Sequence, residues 1–233
     1  MRYFLAICLS LVALHAANAH FIWLVPTADP ERIEIYFGDR LKPDHPKFLK
    51  TIAHTKLKVH DLRGKSIPVL ITPNGKADED HYVVEVPGKG VREITGHCLW
   101  GVHILKELGE DTPFLLNYYP KAILGDLSQW HSRSGANSAK VEIIPALQDG
   151  KLRLRVLSDG KPTPRTYLTV LIPGQDKVGS YRTTSKGEYS LAVSRSGTYA
   201  IWTQGKTEQK SGTYRGKKYE EIRHYATLTV TIP

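Results

Sequence analysis

The sequence predicts an all-β protein, and three observations carry that reading. Apolar residues recur at every second position in short runs, which is the period of a half-buried strand. Clusters of Gly, Pro, Asn and Ser separate these runs at intervals of roughly ten residues, the rhythm of sandwiches and barrels. Helical periodicity is nearly absent, with one short candidate over residues 48–54.

Before the first strand lies an export signal. Arg2 supplies a positive start, residues 4–14 are apolar, and Ala17-Asn18-Ala19 has the small-x-small form that signal peptidase accepts. The apolar run is too short to anchor the chain in a bilayer. It also lacks the polar face of a buried helix. The chain therefore reads as a precursor that loses residues 1–19, begins at His20 when mature, and works in the periplasm or outside the cell. No later apolar run approaches membrane-spanning length.

Strands are expected at 21–25, 32–37, 56–61, 66–72, 81–86, 92–104 and 114–119. Pro73-Asn74-Gly75 and Pro87-Gly88-Lys89-Gly90 are turn-formers between them. Residues 41–49, rich in Pro and Lys, read as a loop, and residues 126–139 as a linker or long exposed loop. A second series follows at 141–144, 152–157, 167–172, 179–184, 188–193, 198–204 and 225–232. These give two Ig-like β-sandwich domains, residues 20–145 and 146–233, with the boundary near Pro145. In the second, Gly-containing turns alternate with strands in a way that resembles transthyretin-like and carboxypeptidase-regulatory sandwiches, a likeness that implies fold and not activity.

Composition narrows the partners. The formal charge of the 233-residue chain is +9, but basic residues are scattered, and Lys217-Lys218 is followed at once by Glu220-Glu221. A nucleic-acid reader gathers its cations on one face with aromatics between them, and no such stripe exists here. The charge suits solubility or loose attraction to anionic polysaccharide or lipid. Of two cysteines, Cys8 leaves with the signal, so the mature chain has no internal disulfide. Cys98 alternates with Trp100, Val102 and Ile104 and is expected on the core face of its strand.

The usual catalytic and metal motifs are missing. There is no HExxH, CxxC, Gly-x-Ser-x-Gly, Walker-type loop or dinucleotide fingerprint. Asp78-Glu79-Asp80 reads as a solvated hairpin tip. Trp130 and Trp202 are open to two readings, sugar-stacking platforms or core residues. No enzyme is indicated.

Several segments together resemble one family, the periplasmic DUF4198 proteins, which are nickel-uptake-component-like. They are 20–26 (HFIWLVP), 36–39 (YFGD), 100–103 (WGVH), 114–122 (FLLNYYPKA), 141–145 (VEIIP), 160–162 (GKP) and 219–228 (YEEIRHYATL), in the family's order along residues 20–233. Trp100 departs from the tyrosine expected there. The resemblance implies periplasmic handling of a divalent transition metal, with a membrane metal transporter as partner.

Against that background His20 is the sharpest candidate. After cleavage it offers an α-amine and an imidazole on one residue. The amine and Nδ1 close a six-membered chelate, and a second imidazole completes a three-nitrogen site similar to the histidine brace of copper proteins. Such nitrogen-rich sites suit copper and nickel, and cobalt falls within the same class. His224, inside the segment that best matches the family, is the first choice for the second imidazole, set against the plainer reading of a hydrogen-bonded core histidine. His97 and His103 are expected on one shared face of their strand, roughly 20 Å apart, so they cannot share an ion, though either alone can serve. His45, His54, His60, His81 and His131 read as solvated. The alternative function is a secreted interaction or carbohydrate-binding module, for instance on cell-surface polysaccharide, in which His20 is incidental.

Overall fold

A computed structural model describes residues 20–71, 80–106, 109–130 and 139–233. The export signal, the Pro73–Gly75 turn, Asp78, Glu79 and His131 lie outside the described residues.

The chain is all-β, and its strands build two β-sandwiches that share one sheet. The shared sheet has eight strands in the order β13-β12-β15-β18-β8-β7-β4-β5. In chain order these are β4 (Lys56–Asp61), β5 (Ser66–Val69), β7 (Arg92–His103), β8 (Phe114–Leu124), β12 (Tyr167–Leu171), β13 (Gly179–Arg182), β15 (Gly197–Gln204) and β18 (Glu221–Ile232). The last strand returns to the middle, where β18 lies parallel to β8 with His224 opposite Asn117. On one face sits a four-stranded sheet of β1 (Phe21–Pro26), β2 (Arg32–Asp39), β3 (Lys42–Pro43) and β6 (Tyr82–Glu85). On the other sits a sheet of β9 (Val141–Gln148), β10 (Lys151–Ser158), β11 (Lys161–Pro162) and β14 (Glu188–Ala192). A hairpin of β16 (Gly212–Tyr214) and β17 (Lys217–Tyr219) completes the strands.

Side-chain alternation makes the shared sheet serve two cores. Along β8, Phe114, Leu116, Tyr118, Ala122 and Leu124 point into the first core, and Ile123 points into the second. Along β18, Ala226, Leu228 and Val230 fill the second core. Between them Thr227 and Thr229 face the first sheet and are fully covered. Strands buried on both faces read as near-continuous apolar runs, and β8 does. The boundary read near Pro145 falls inside β9, where Pro145 pairs with Leu154. A proline is tolerated there because β9 is an edge strand with an unpaired side.

One loop reading is corrected, and one open reading of an aromatic is decided. The stretch after residue 126 is not simply exposed: Asp126 caps a 3₁₀ turn at Leu127–Gln129, and Leu127 and Trp130 are buried in the second core. Of the two readings open for Trp202, the core one fits its packing: it lies edge-on against Trp23 with ring centres 5.7 Å apart, on the first core. Cys98 lies in the first core, fully buried.

Candidate functional site

The site is built from the start of β1. This strand pairs only with β2, so one of its edges has no strand partner. Buried carbonyls along such an edge need donors from elsewhere. Three hydroxyls of the shared sheet supply them at alternate residues. Tyr118 donates to the His20 carbonyl at 3.1 Å, Thr227 donates to that of Ile22 at 2.7 Å, and Thr229 donates to that of Leu24. Burial pushes the Tyr118 hydroxyl far above its ordinary range, with Tyr225 and Cys98 adding to the shift, so it remains a donor at any physiological pH. These bonds fix where residue 20 emerges.

The ring of His20 is held from two sides. It stacks on Phe37 with centres 5.5 Å apart, and its Nε2 lies 3.0 Å from Oδ2 of Asp44. Asp44 is delivered by the tight β2–β3 hairpin. Gly38 permits that turn, since a Cβ there would lie 1.9 Å from the Lys42 carbonyl oxygen. The Asp44 amide donates to the Phe37 carbonyl at 2.9 Å, and its Oδ1 accepts the His45 amide at 2.7 Å, which leaves Oδ2 aimed at His20. A carboxylate only accepts, so in the neutral imidazole Nε2 carries the hydrogen and Nδ1 the lone pair.

Beyond His20 opens a cavity of about 310 Å³ walled by Phe37, Phe48, Trp100, Phe114, Tyr118 and Tyr225, with His103 on its lining. Trp100 stacks on Phe37 at 4.3 Å, and His103 meets Phe114 edge-on at 5.8 Å. His103 arrives there because β7 carries a bulge. Leu99 pairs with Asn117 and Gly101 with Leu116, so Trp100 is an extra residue. Before the bulge, His97 points away from this cavity, and its Nε2 lies 3.0 Å from Oδ1 of Asn117. After it, alternation is reset and His103 faces the cavity. The expectation that His97 and His103 share a face is therefore corrected: one inserted residue exchanges the two sides of the strand.

His224 is also elsewhere. Tyr225 lines the His20 cavity, and its neighbour His224 necessarily points to the opposite face of the sheet. There His224 Nε2 is 3.1 Å from Oε1 of Glu208, and Nδ1 is 3.4 Å from the Tyr119 hydroxyl. Glu208 in turn reaches Lys140 at 3.4 Å, and Lys140 reaches Asp159 at 2.9 Å. Burial lowers the His224 pKa against the pull of Glu208. The pairing of His20 with His224 on one ion is thus corrected: the sheet stands between them, and His224 occupies a polar side-chain network of its own.

The other histidines vary. His54 Nε2 contacts the Leu99 carbonyl at 2.9 Å, His60 Nε2 the Thr95 hydroxyl at 3.0 Å, and His81 Nδ1 the Asp80 carboxylate at 2.9 Å. Among the described residues, no three His, Cys, Asp or Glu side chains are grouped to hold a metal. As folded, the cavity offers His20 and Asp44 in contact, with His103 on the same lining. Asp44 gave no signal in the sequence, lying in a Pro- and Lys-rich loop. Gly101 did give one, since an isolated glycine within a strand pattern marks a bulge.

No family model matches the chain, and no curated protein matches it. Among solved structures it is similar to a cytokine receptor complex, with 11% identity over 78% of this chain and 82% of that one, at a TM-score of 0.22. It is similar to a two-domain fibronectin type III segment of chicken tenascin, with 10% identity over 88% and 97% of the two chains, at 0.23. The fibronectin domains FN1–FN3 of chicken CNTN1 match with 10% identity over 88% and 64%, at 0.22. Scores this low bear on neither activity nor ligand. No described helix is long and apolar enough to cross a membrane.

Proposed function

We propose that this is an exported periplasmic or extracellular protein that binds a divalent transition metal, nickel, cobalt or copper, through His20 once that residue is the first of the mature chain. One observation carries the reading: the Nε2–Asp44 contact of 3.0 Å leaves Nδ1 as the lone-pair nitrogen. A chelate ring of α-amine and imidazole needs Nδ1, because Nε2 lies too far from the backbone to close it. A metal-ligating histidine usually has its other ring nitrogen bonded to a carboxylate, which fixes the tautomer and the ring's orientation. The α-amine, with an ordinary pKa of about 8, gives up its proton to such a metal near neutral pH. His103, on the lining of the same cavity, is our choice for the second imidazole. Its approach requires the ring to swing from Phe114.

The donor set of two or three nitrogens fits copper and nickel best. Delivery to a membrane metal transporter, as the DUF4198 resemblance implies, is the role in which such a site serves. Titration calorimetry with Cu(II) and Ni(II) tests the reading on protein beginning at His20, on its His20→Ala variant, and on a form carrying a long histidine-free extension before His20. The extension keeps the ring, turns the His20 amine into an amide and carries the new terminus out of chelating reach. Binding by the first protein that is lost in both others is the expected result. Equal binding by all three overturns it, and glycan binding indifferent to chelators and to His20→Ala would favour the interaction-module reading.

A further inference from the structure

Lys121, Glu93 and Glu142 form a cluster of three ionisable side chains in the interior. Their side chains retain 5%, 6% and 7% of their surface exposure. They come from three strands and two sheets. Lys121 lies on β8, Glu93 on the adjacent β7, and Glu142 on β9 of the sheet packed over the shared one. The Lys121 ammonium touches Oε1 of Glu142 and lies 3.3 Å from Oε2 of Glu93. Burial works against its charge, but the two carboxylates outweigh burial, and its pKa is raised.

An ion pair at this depth is a poor stabiliser, because the desolvation of both charges offsets their attraction. The same geometry is close to that of a condensation. Amine and carboxyl are held in contact under almost complete cover, so the effective concentration of one at the other is very high. A second carboxylate stands on the amine to move protons. A cavity of about 20 Å³ adjoins Lys121 and Glu142, enough for one water.

We propose that Lys121 and Glu142 become joined by an isopeptide bond, with Glu93 as the proton shuttle. Glu93 accepts one ammonium proton and frees the Lys121 lone pair, which attacks the Glu142 carboxyl carbon. The C–N bond forms and one C–O bond breaks. The departing oxygen takes two of the three ammonium protons, one of them by way of Glu93, and leaves as water. The product amide keeps the third as its N–H, which can hydrogen-bond to Glu93, and the Glu93 carboxylate ends ionised as it began. No oxidant, reductant or co-reactant enters, and two buried opposite charges are removed. The bond fastens the shared sheet to the outer sheet, in a chain whose residues 20–233 contain a single cysteine and so no internal disulfide.

Intact mass spectrometry of the exported protein tests this, compared with the mass of its sequence from its own determined N-terminus. The expected result is a mass one water below that of the sequence, with protease digestion yielding a joined pair of peptides that contain Lys121 and Glu142. Lys121→Arg should restore the full mass, and Glu93→Gln should leave a fraction of molecules unjoined. A wild-type mass equal to that of the sequence overturns the proposal, whatever the variants do. A deficit that persists in Lys121→Arg, or that maps to other peptides, overturns it as well.

Discussion

His97 and His103 lie on one strand and face opposite sides of the sheet, because Trp100 is an extra residue between the pairs Leu99–Asn117 and Gly101–Leu116. The bulge depends on Gly101, whose φ of +129° is a conformation that residues with a Cβ rarely adopt. A Cβ placed there meets only Tyr214 Cε1, at an ordinary 3.9 Å, so substitution tests backbone strain and not a clash. Gly101→Ala is expected to cost about 1–3 kcal/mol of stability in urea unfolding. An unchanged midpoint would show that the bulge does not need glycine.

Asp44 supports the proposed metal site through His20 and need not touch the ion. Asp44→Ala frees the His20 ring to rotate and to exchange tautomers. Affinity for Cu(II) is expected to fall about ten- to a hundredfold, as for other outer-shell carboxylates. Thermal unfolding of the metal-free variant should stay close to wild type, since Asp44 is only partly covered. Unchanged affinity by calorimetry would remove Asp44 from the site.

The open edge of β1 gives a stability prediction. Thr227→Val keeps the shape of the side chain and removes the hydroxyl that serves the Ile22 carbonyl. Leaving a buried acceptor unpaired costs about 1–3 kcal/mol. Thr229→Val and Tyr118→Phe should behave alike at Leu24 and His20. Chemical denaturation of the three single variants checks this, and a neutral result at Thr227 would mean that water replaces the hydroxyl.

Cys98 should be inert in the native protein. Burial pushes its thiol up to about 11, against a weaker opposing bond from Thr55. Iodoacetamide at pH 8 is expected to label it only after unfolding, because the thiolate is the nucleophile. Between the unfolded pKa near 9.0 and the folded one near 11 the native state binds more protons than the unfolded state. Stability therefore falls as pH rises through that window. Fast native labelling at pH 8 would contradict this burial.

His60 and His224 govern the acid side. Burial lowers both from the ordinary 6.5, with Glu93 and Glu142 opposing and Lys121 and Lys58 reinforcing at His60. At His224, Glu208 and Asp159 oppose the shift and Lys140 reinforces it. A lowered histidine binds fewer protons when folded. Its contribution is present above pH 6.5 and is lost as pH falls through the folded value. Stability measured by urea unfolding from pH 7.5 to 5 should decline, and the double variant His60→Gln/His224→Gln should flatten that decline. An equal slope in both proteins would assign the acid sensitivity to other groups.

Much of the architecture is legible in the residues alone. Alternation locates the long strands, and the near-continuous apolar run from Phe114 to Leu124 belongs to a strand covered on both faces. The small-residue pattern before His20 singles that residue out as the expected first of the mature chain. Period two, however, says only that one face is apolar. Thr227 and Thr229 of β18 look like part of a solvent face in sequence. They are buried because their hydroxyls meet the edge of β1, whose partner residues lie 205 positions away. Nor does spacing reveal which side chains meet: Asp44 reaches His20 through a hairpin, His103 turns toward it through a bulge, and His224 is kept from it by the thickness of a sheet. Local sequence fixes each strand's period. The face that each residue presents, and what lies opposite it, depend on pairings between distant segments that only the folded chain establishes.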